Sequence, residues 1–275
     1  MIRVNNIHLS LEYDDKSVRK AVAQQLRIEE KSIKSCKIFR RSVDARKKDS
    51  IYFLTTVDAE LNINEDKVCK KCGNAQIARK YEYNQMKFGN APSPVVVGAG
   101  PAGLFAALIL ARSGANPILI ERGRDVDRRT ADVNRFWTSG QLDITSNVQF
   151  GEGGAGTFSD GKLNTLVKDK FGRNHEVLRI FAEHGAPESI TYESKPHIGT
   201  DVLSAVVKEM RKYICAHGGE VRFHSQVTDI QTHSDNGQKI LRKLKIYDSQ
   251  KKETYLLDTD LAVFAIGHSA RDTFS

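Results

Sequence analysis

Three glycines open the most informative stretch of this chain, VVVGAGPAGLFAALILARSGANPILIERG, Val95–Gly123. Gly98, Gly100 and Gly103 follow a β-branched run and enter an Ala-rich one, with Pro101 and Ala102 between them. This spacing suits the pyrophosphate of a dinucleotide. Gly98 permits a tight turn from strand into helix. A side chain at Gly100 would keep the pyrophosphate off the backbone, and Gly103 lets the helix lie close on the sheet. The helix start offers open N–H groups and about half a positive charge, which together receive a phosphate. Glu121 stands 18 residues after Gly103, close to the ~20 at which an acidic residue reaches the ribose diol. Such a carboxylate accepts from ribose hydroxyls and repels a 2′-phosphate, so the spacing selects FAD or NAD over NADP. Arg122 follows it directly. A single unit of this kind does not choose between FAD and NAD.

A second glycine-rich stretch, NVQFGEGGAGTFSDGK, runs from Asn147 to Lys162 with five glycines in sixteen residues. Among these, Gly153, Gly154 and Gly156 with Thr157 let backbone approach a flat or anionic ligand. Phe150 and Phe158 flank the glycines and predict a packed loop. Lys162 can bring a positive charge to a phosphate or a flavin. His197, in KPHIGT, can move protons near a substrate carbonyl, although a turn histidine held by backbone is the commoner arrangement. Cys69 and Cys72 form a CxxC without a second one. Such a pair can be a redox couple or half a zinc site, and the lysines beside it would lower a thiol pKa. But a structural zinc needs four ligands and the pair precedes the glycine motif, so it reads rather as part of a linker. Phe136 and Trp137 read as core residues.

The elements that must position these groups fall into two patterns. Before residue 89, Arg3–Leu11 alternates like a strand, and Asp14 and Asp15 can cap a helix over Ser17–Leu26. Cys36–Arg41 and Ile51–Glu60 read as a hairpin around a basic loop, RSVDARKKDS. After the breaker cluster Gly89–Pro94, Val95–Val97 is a strand, Pro101–Ser113 a helix and Pro117–Ile120 a strand. Thr200 can cap a helix over Asp201–Ala216 that Gly218 and Gly219 close. Strands at Glu220–His224, between about Val227 and Leu257, and at Leu261–Ile266 complete the pattern. The fold class expected is therefore α/β: a Rossmann-like domain over residues 89–275, with a parallel sheet, crossover helices and a β-meander. A small α+β domain of ferredoxin-like kind over residues 1–88 precedes it.

The strand Leu261–Gly267 is similar to the strand that ends at the dinucleotide in two-dinucleotide-binding-domain flavoproteins, which implies that Gly267 meets the cofactor. Val227 occupies the place where such proteins meet adenine. With VVVGAGPAGLFAALILA, ERGRDVDRR, FWTSGQLD, NVQFGEGGAGTFSDGKLNT, KPHIGTDVL and FAIGHSARDTF, the chain resembles the bacterial NAD(FAD)-utilising dehydrogenases, a branch of the glutathione-reductase-like FAD superfamily. The resemblance spans essentially the whole chain. It implies FAD, oxidoreductase chemistry through the flavin, a possible NAD(P)H electron donor and a cytoplasmic setting, with no particular substrate. It also implies a longer protein, since such proteins continue past the strand that ends at Gly267.

Composition bounds the rest. Across 275 residues, 40% are hydrophobic and 28% charged, which excludes a disordered chain and a collagen-like repeat. No apolar run approaches the ~20 residues of a membrane span, and no signal peptide is expected. Residues 1–90 carry 19 Lys and Arg against 12 Asp and Glu, so nearly all of the net charge of +8 lies there. That bias suits an acidic partner. Nucleic acid is the weaker reading, because no aromatic motif interleaves the basic loop. The alternatives to a flavin oxidoreductase of unknown substrate are an RNA-directed flavoenzyme resembling those that modify tRNA uridines and a truncated, non-catalytic dinucleotide-binding fragment.

Overall fold

The structure, a computed structural model, describes residues 1–79, 83–85, 87–88, 93–163, 165, 167, 169 and 171–274. Gly89, Asn90, Ala91 and Pro92 of the expected boundary lie outside the described residues. Two compact units interleave along the chain. One holds Met1–Tyr83, Lys162–Ala182 and Pro187–His197, and the other Asn84–Gly161, Glu183–Ala186 and Ile198–Ser275. No helix among the described residues is long and apolar enough to cross a membrane.

The first unit runs β1 (Ile2–Leu9), α1 (Asp15–Leu26), β2 (Ile33–Asp44), β3 (Tyr52–Leu61), α2 (Glu65–Lys71) and β4 (Ala75–Ile77). Its sheet is antiparallel throughout, in the order β2-β3-β1-β4. Asp14 starts α1 through a capping box: it accepts from the Ser17 N–H, and the Ser17 hydroxyl accepts from the Asp14 N–H. Val18, Val22, Ala23 and Leu26 then bury against Ile2, Val4, Val57 and Ala59. Two expectations fail here. Arg41–Asp44 belong to β2 rather than to the loop, because Asp44 pairs with Tyr52 across the hairpin and accepts from the Tyr52 hydroxyl and the Arg46 guanidinium. Cys69 and Cys72 are not linker residues. Cys69 lies on α2, Cys72 caps it, and both pack against the unit's core. Burial, followed by the neighbouring Asp66 and Glu65, pushes the Cys69 thiol pKa up.

In the second unit β5 (Val95–Val97), α3 (Pro101–Arg112), β6 (Ile118–Ile120) and α4 (Val126–Ser139) follow one another. Next in the chain, α5 (Arg173–Glu183) belongs, but for its last residue, to the first unit. Then come α6 (Thr200–Ala216), β7 (Glu220–Arg222), β8 (Ser225–Asp235), β9 (Gln238–Asp248), β10 (Glu253–Asp258), β11 (Ala262–Phe264) and α7 (Arg271–Phe274). A parallel sheet β11-β5-β6-β7 and an antiparallel meander β10-β9-β8 result. All three valines of β5 are buried, as expected of a strand covered on both faces. The meander packs on one side through Val227, Leu244 and Ile246. The expected α/β class with a parallel sheet and an inserted meander is therefore present.

Two details of this unit differ from expectation. Thr200 is the first residue of α6 and Gly199 its cap. Trp137 is 61% exposed rather than core. It shares a helical stripe with Val126 and Val133, but every residue of α4 after Val133 is at least partly exposed, so the last turn overhangs the core. The indole makes an edge contact with the Phe158 ring, at 6.1 Å between centroids.

Candidate dinucleotide site

A cavity of about 350 Å³ opens at the carboxyl ends of the parallel strands, where open α/β sheets bind their ligands. Gly98, Gly100, Pro101 and Ala102 of the β5–α3 turn line it, with Glu121 and Arg122 at the end of β6. Gly151, Gly154 and Ala155 come from the second glycine loop, Val227 from β8, and Gly267 from beyond β11.

The glycines of the first turn do different work. Gly98 has φ +98°, and a Cβ there would stand 2.6 Å from the Ala265 carbonyl oxygen. Gly103 does not line the cavity. It seals α3 onto the turn so closely that a Cβ would meet the Gly98 carbonyl oxygen at 1.8 Å. Gly100 is the N-cap of α3, and a Cβ there would touch nothing within 4 Å. That side faces open space, directly before the first turn of a helix whose initial N–H groups have no intrahelical acceptor. The arrangement fits a pyrophosphate.

Glu121 is placed differently from a simple ribose acceptor. It is 5% exposed, and both carboxylate oxygens hold backbone: Oε2 accepts from the Ala99 N–H at 2.7 Å and Oε1 from the Gly123 N–H at 2.8 Å. It thus ties the glycine turn to the turn after β6 while still facing the cavity. Arg122 forks onto Asp272 at 3.0 and 3.2 Å, which holds the Asp272 carboxyl below its ordinary pKa, and its guanidinium lies 4.5 Å from the centre of the Phe150 ring.

The second glycine loop is built onto the first. The Gly153 N–H donates to the Ala99 carbonyl at 2.8 Å, and Gly154, at φ +64°, sits so close to Pro101 that a Cβ would lie 2.7 Å from its Cδ. Thr157 is buried and donates its hydroxyl to the Gly154 carbonyl. Gly153, Gly156 and Thr157 therefore shape the loop and do not line the cavity. Lys162 and His197 pair with each other in an isolated antiparallel bridge within the first unit, both side chains exposed, and neither lines the cavity.

Two buried charged residues, Arg129 packed against the loop and Glu152 within it, were not anticipated. Arg129 on α4 is 0% exposed, and burial lowers its pKa to about 10. It sits three residues after Val126 and four before Val133 on the inward stripe of α4, which is the signal that marks it. Glu152 is also 0% exposed. Its Oε2 accepts from the Val126 N–H at 2.8 Å, and Arg211 Nε lies 2.8 Å from Oε1 in an ion pair bent away from good hydrogen-bond geometry. Burial outweighs both and pushes the Glu152 carboxyl up to about 7. Its ordinary value is 4.5, so between these pH values the folded protein holds a proton that the unfolded chain has released. This group adds stability as pH falls from about 7 toward 4.5 and withholds it above 7. Glu152→Gln is expected to remove the linkage, worth roughly 1.4 kcal/mol per pH unit within that interval. The melting temperature of the parent minus that of the variant should rise as pH falls through the interval. A difference flat in pH would refute the assignment.

Residues 93–134 match a family described as an FAD binding domain, and residues 1–60 match a domain of unknown function, DUF8436. The cofactor is FAD. A Clostridium beijerinckii protein described as uncharacterized is 44% identical over 278 residues, which cover 99% of this chain and 50% of that protein. The chain thus spans about half the length of that relative. Among solved structures, THI4 of Thermovibrio ammonificans is similar at 19% identity and a TM-score of 0.42, over 65% of this chain and 58% of that one. A glycerol-3-phosphate dehydrogenase of Bacillus halodurans complexed with FAD is similar at 13% identity and a TM-score of 0.37, over 67% and 36%.

Proposed function

We propose that this chain is the FAD-binding part of a flavin-dependent oxidoreductase, of the kind represented by the NAD(FAD)-utilising dehydrogenases. The observation that carries this reading is the cavity at the β5–α3 turn, ringed by two glycine loops, of which the first lies within the residues that match an FAD binding domain. When bound, FAD supplies hydride acceptance at N5, and a reduced nicotinamide or an organic substrate is the donor class. This chain's own contribution is binding and orientation. Gly98 and Gly103 set the turn, the start of α3 receives the pyrophosphate, and Glu121 fixes the Ala99 and Gly123 amides. Gly154 and Ala155 wall the cavity from the second loop. For the first unit, the β-α-β-β-α-β order with strand order β2-β3-β1-β4 favours a ferredoxin-like domain.

Purified protein is expected to be yellow, or to become so when FAD is added, and the flavin absorption should bleach when a reduced nicotinamide is supplied without oxygen. A colourless protein that FAD does not reconstitute overturns the reading. A protein that holds FAD but is not bleached by NADH or NADPH keeps the cofactor and removes the nicotinamide as donor.

A further inference from the structure

We propose that Arg129 is the positioning residue of the FAD site, moulding the second glycine loop into a wall of the cavity. This rests on the FAD reading above. The whole fork of the guanidinium is spent on one loop. Nε donates to the Asn147 carbonyl at 2.8 Å and Nη2 to the Val148 carbonyl at 2.9 Å. Nη1 reaches the Glu152 and Gly154 carbonyls at 2.6 and 2.8 Å and the Thr157 hydroxyl at 3.1 Å. Four carbonyls turned toward one buried cation leave the other side of the loop toward the cavity, and Gly151, Gly154 and Ala155 line it. The arginine stem takes part too. At Gly151, with φ +118°, a Cβ would stand 2.4 Å from Arg129 Cδ, so the backbone rides directly on the side chain.

The charge is answered at a distance. The carboxylates that act on Arg129 are Glu121 and Glu152, whereas the five acceptors that its guanidinium reaches in the loop are neutral. A lysine places three donors at a single point and cannot span these acceptors, whereas a guanidinium presents five in a fixed plane. Because Gly153 is bonded to Ala99, a loop released from Arg129 would also disturb the first glycine turn.

The test compares Arg129→Lys, Arg129→Ala and Thr157→Val with the parent, by amide hydrogen exchange without FAD and by titration with FAD followed through flavin fluorescence. In Arg129→Lys, exchange in residues 147–158 should speed by about tenfold or more, that of the β1–β3 sheet should stay at the parent rate, and FAD should bind about a hundredfold more weakly. Thr157→Val, which removes one Arg129 acceptor together with the Thr157 bond to the Gly154 carbonyl, should shift both readouts in the same direction by about three- to tenfold. Thr157→Ser, which keeps both bonds, should stay near the parent, and this pair decides whether the hydroxyl network holds the loop if the arginine variants do not fold. Guanidinium ion at tens of millimolar should recover part of the FAD affinity of Arg129→Ala, while sodium at the same ionic strength should not. Parent-like exchange in the loop together with FAD affinity within about threefold of the parent overturns the proposal. A parent that takes up no FAD overturns the cofactor reading instead, and the exchange rates alone then decide whether Arg129 holds the loop.

Discussion

Gly100→Val is expected to abolish FAD binding while leaving the protein folded. The backbone at Gly100 has φ −69°, which any residue adopts, and a Cβ there meets nothing within 4 Å. The FAD-free protein therefore has open space where the side chain begins. The pyrophosphate is excluded, because the valine would fill the space through which it approaches the start of α3. Two or three charge-assisted hydrogen bonds would be lost, each worth roughly 1.5–3 kcal/mol. Affinity should fall by several orders of magnitude. Gly103→Ala makes the contrast. Its methyl would stand 1.8 Å from the Gly98 carbonyl oxygen, a backbone atom that cannot swing away. That variant should lose stability even without FAD. Thermal melting of both FAD-free variants, alongside FAD titration, separates the two effects. If Gly100→Val retains FAD, the start of α3 is not the phosphate site.

The first glycine turn was legible in the sequence because its chemistry is local. A strand, a turn that needs φ above zero at Gly98 and a helix beginning at Pro101 lie within nine residues, Val95–Gly103, and each residue type carries its own reason. The cap of α1 was legible for the same cause. What failed depends on partners distant in sequence. Nothing in the spacing of Glu121 shows that the Ala99 amide, 22 residues earlier, takes one of its oxygens. Arg129 sits on the inward stripe of α4, but nothing local shows that five acceptors between Asn147 and Thr157 fold over it. Trp137 has a core residue's type and stripe, but whether the end of a helix overhangs its core is set by what packs there. Lys162 was singled out by its charge and His197 by the family resemblance; the two pair with each other in an isolated bridge, and neither lines the cavity.

Glu121→Ala is expected to impair FAD binding about as severely as Gly100→Val, and for a different reason. Were Glu121 only a ribose acceptor, its loss would cost roughly ten- to a hundredfold, the worth of one or two hydrogen bonds at the adenosine end. The structure gives it a second duty. Alanine would leave the Ala99 and Gly123 N–H groups without their acceptors in a buried setting, and each unpaired group costs about 1–3 kcal/mol. It would also remove one of the two carboxylates that balance the buried Arg129. The glycine turn and the second loop, joined through Ala99 and Gly153, should therefore loosen together. Glu121→Gln should not rescue the site, because its amide nitrogen would face an N–H donor where an oxygen is needed. The distinguishing measurement is the melting temperature without FAD. It should drop clearly in Glu121→Ala and stay near the parent value in Gly100→Val. If Glu121→Ala melts like the parent and weakens FAD only tenfold or so, Glu121 serves the ribose alone and the turn is held by other contacts.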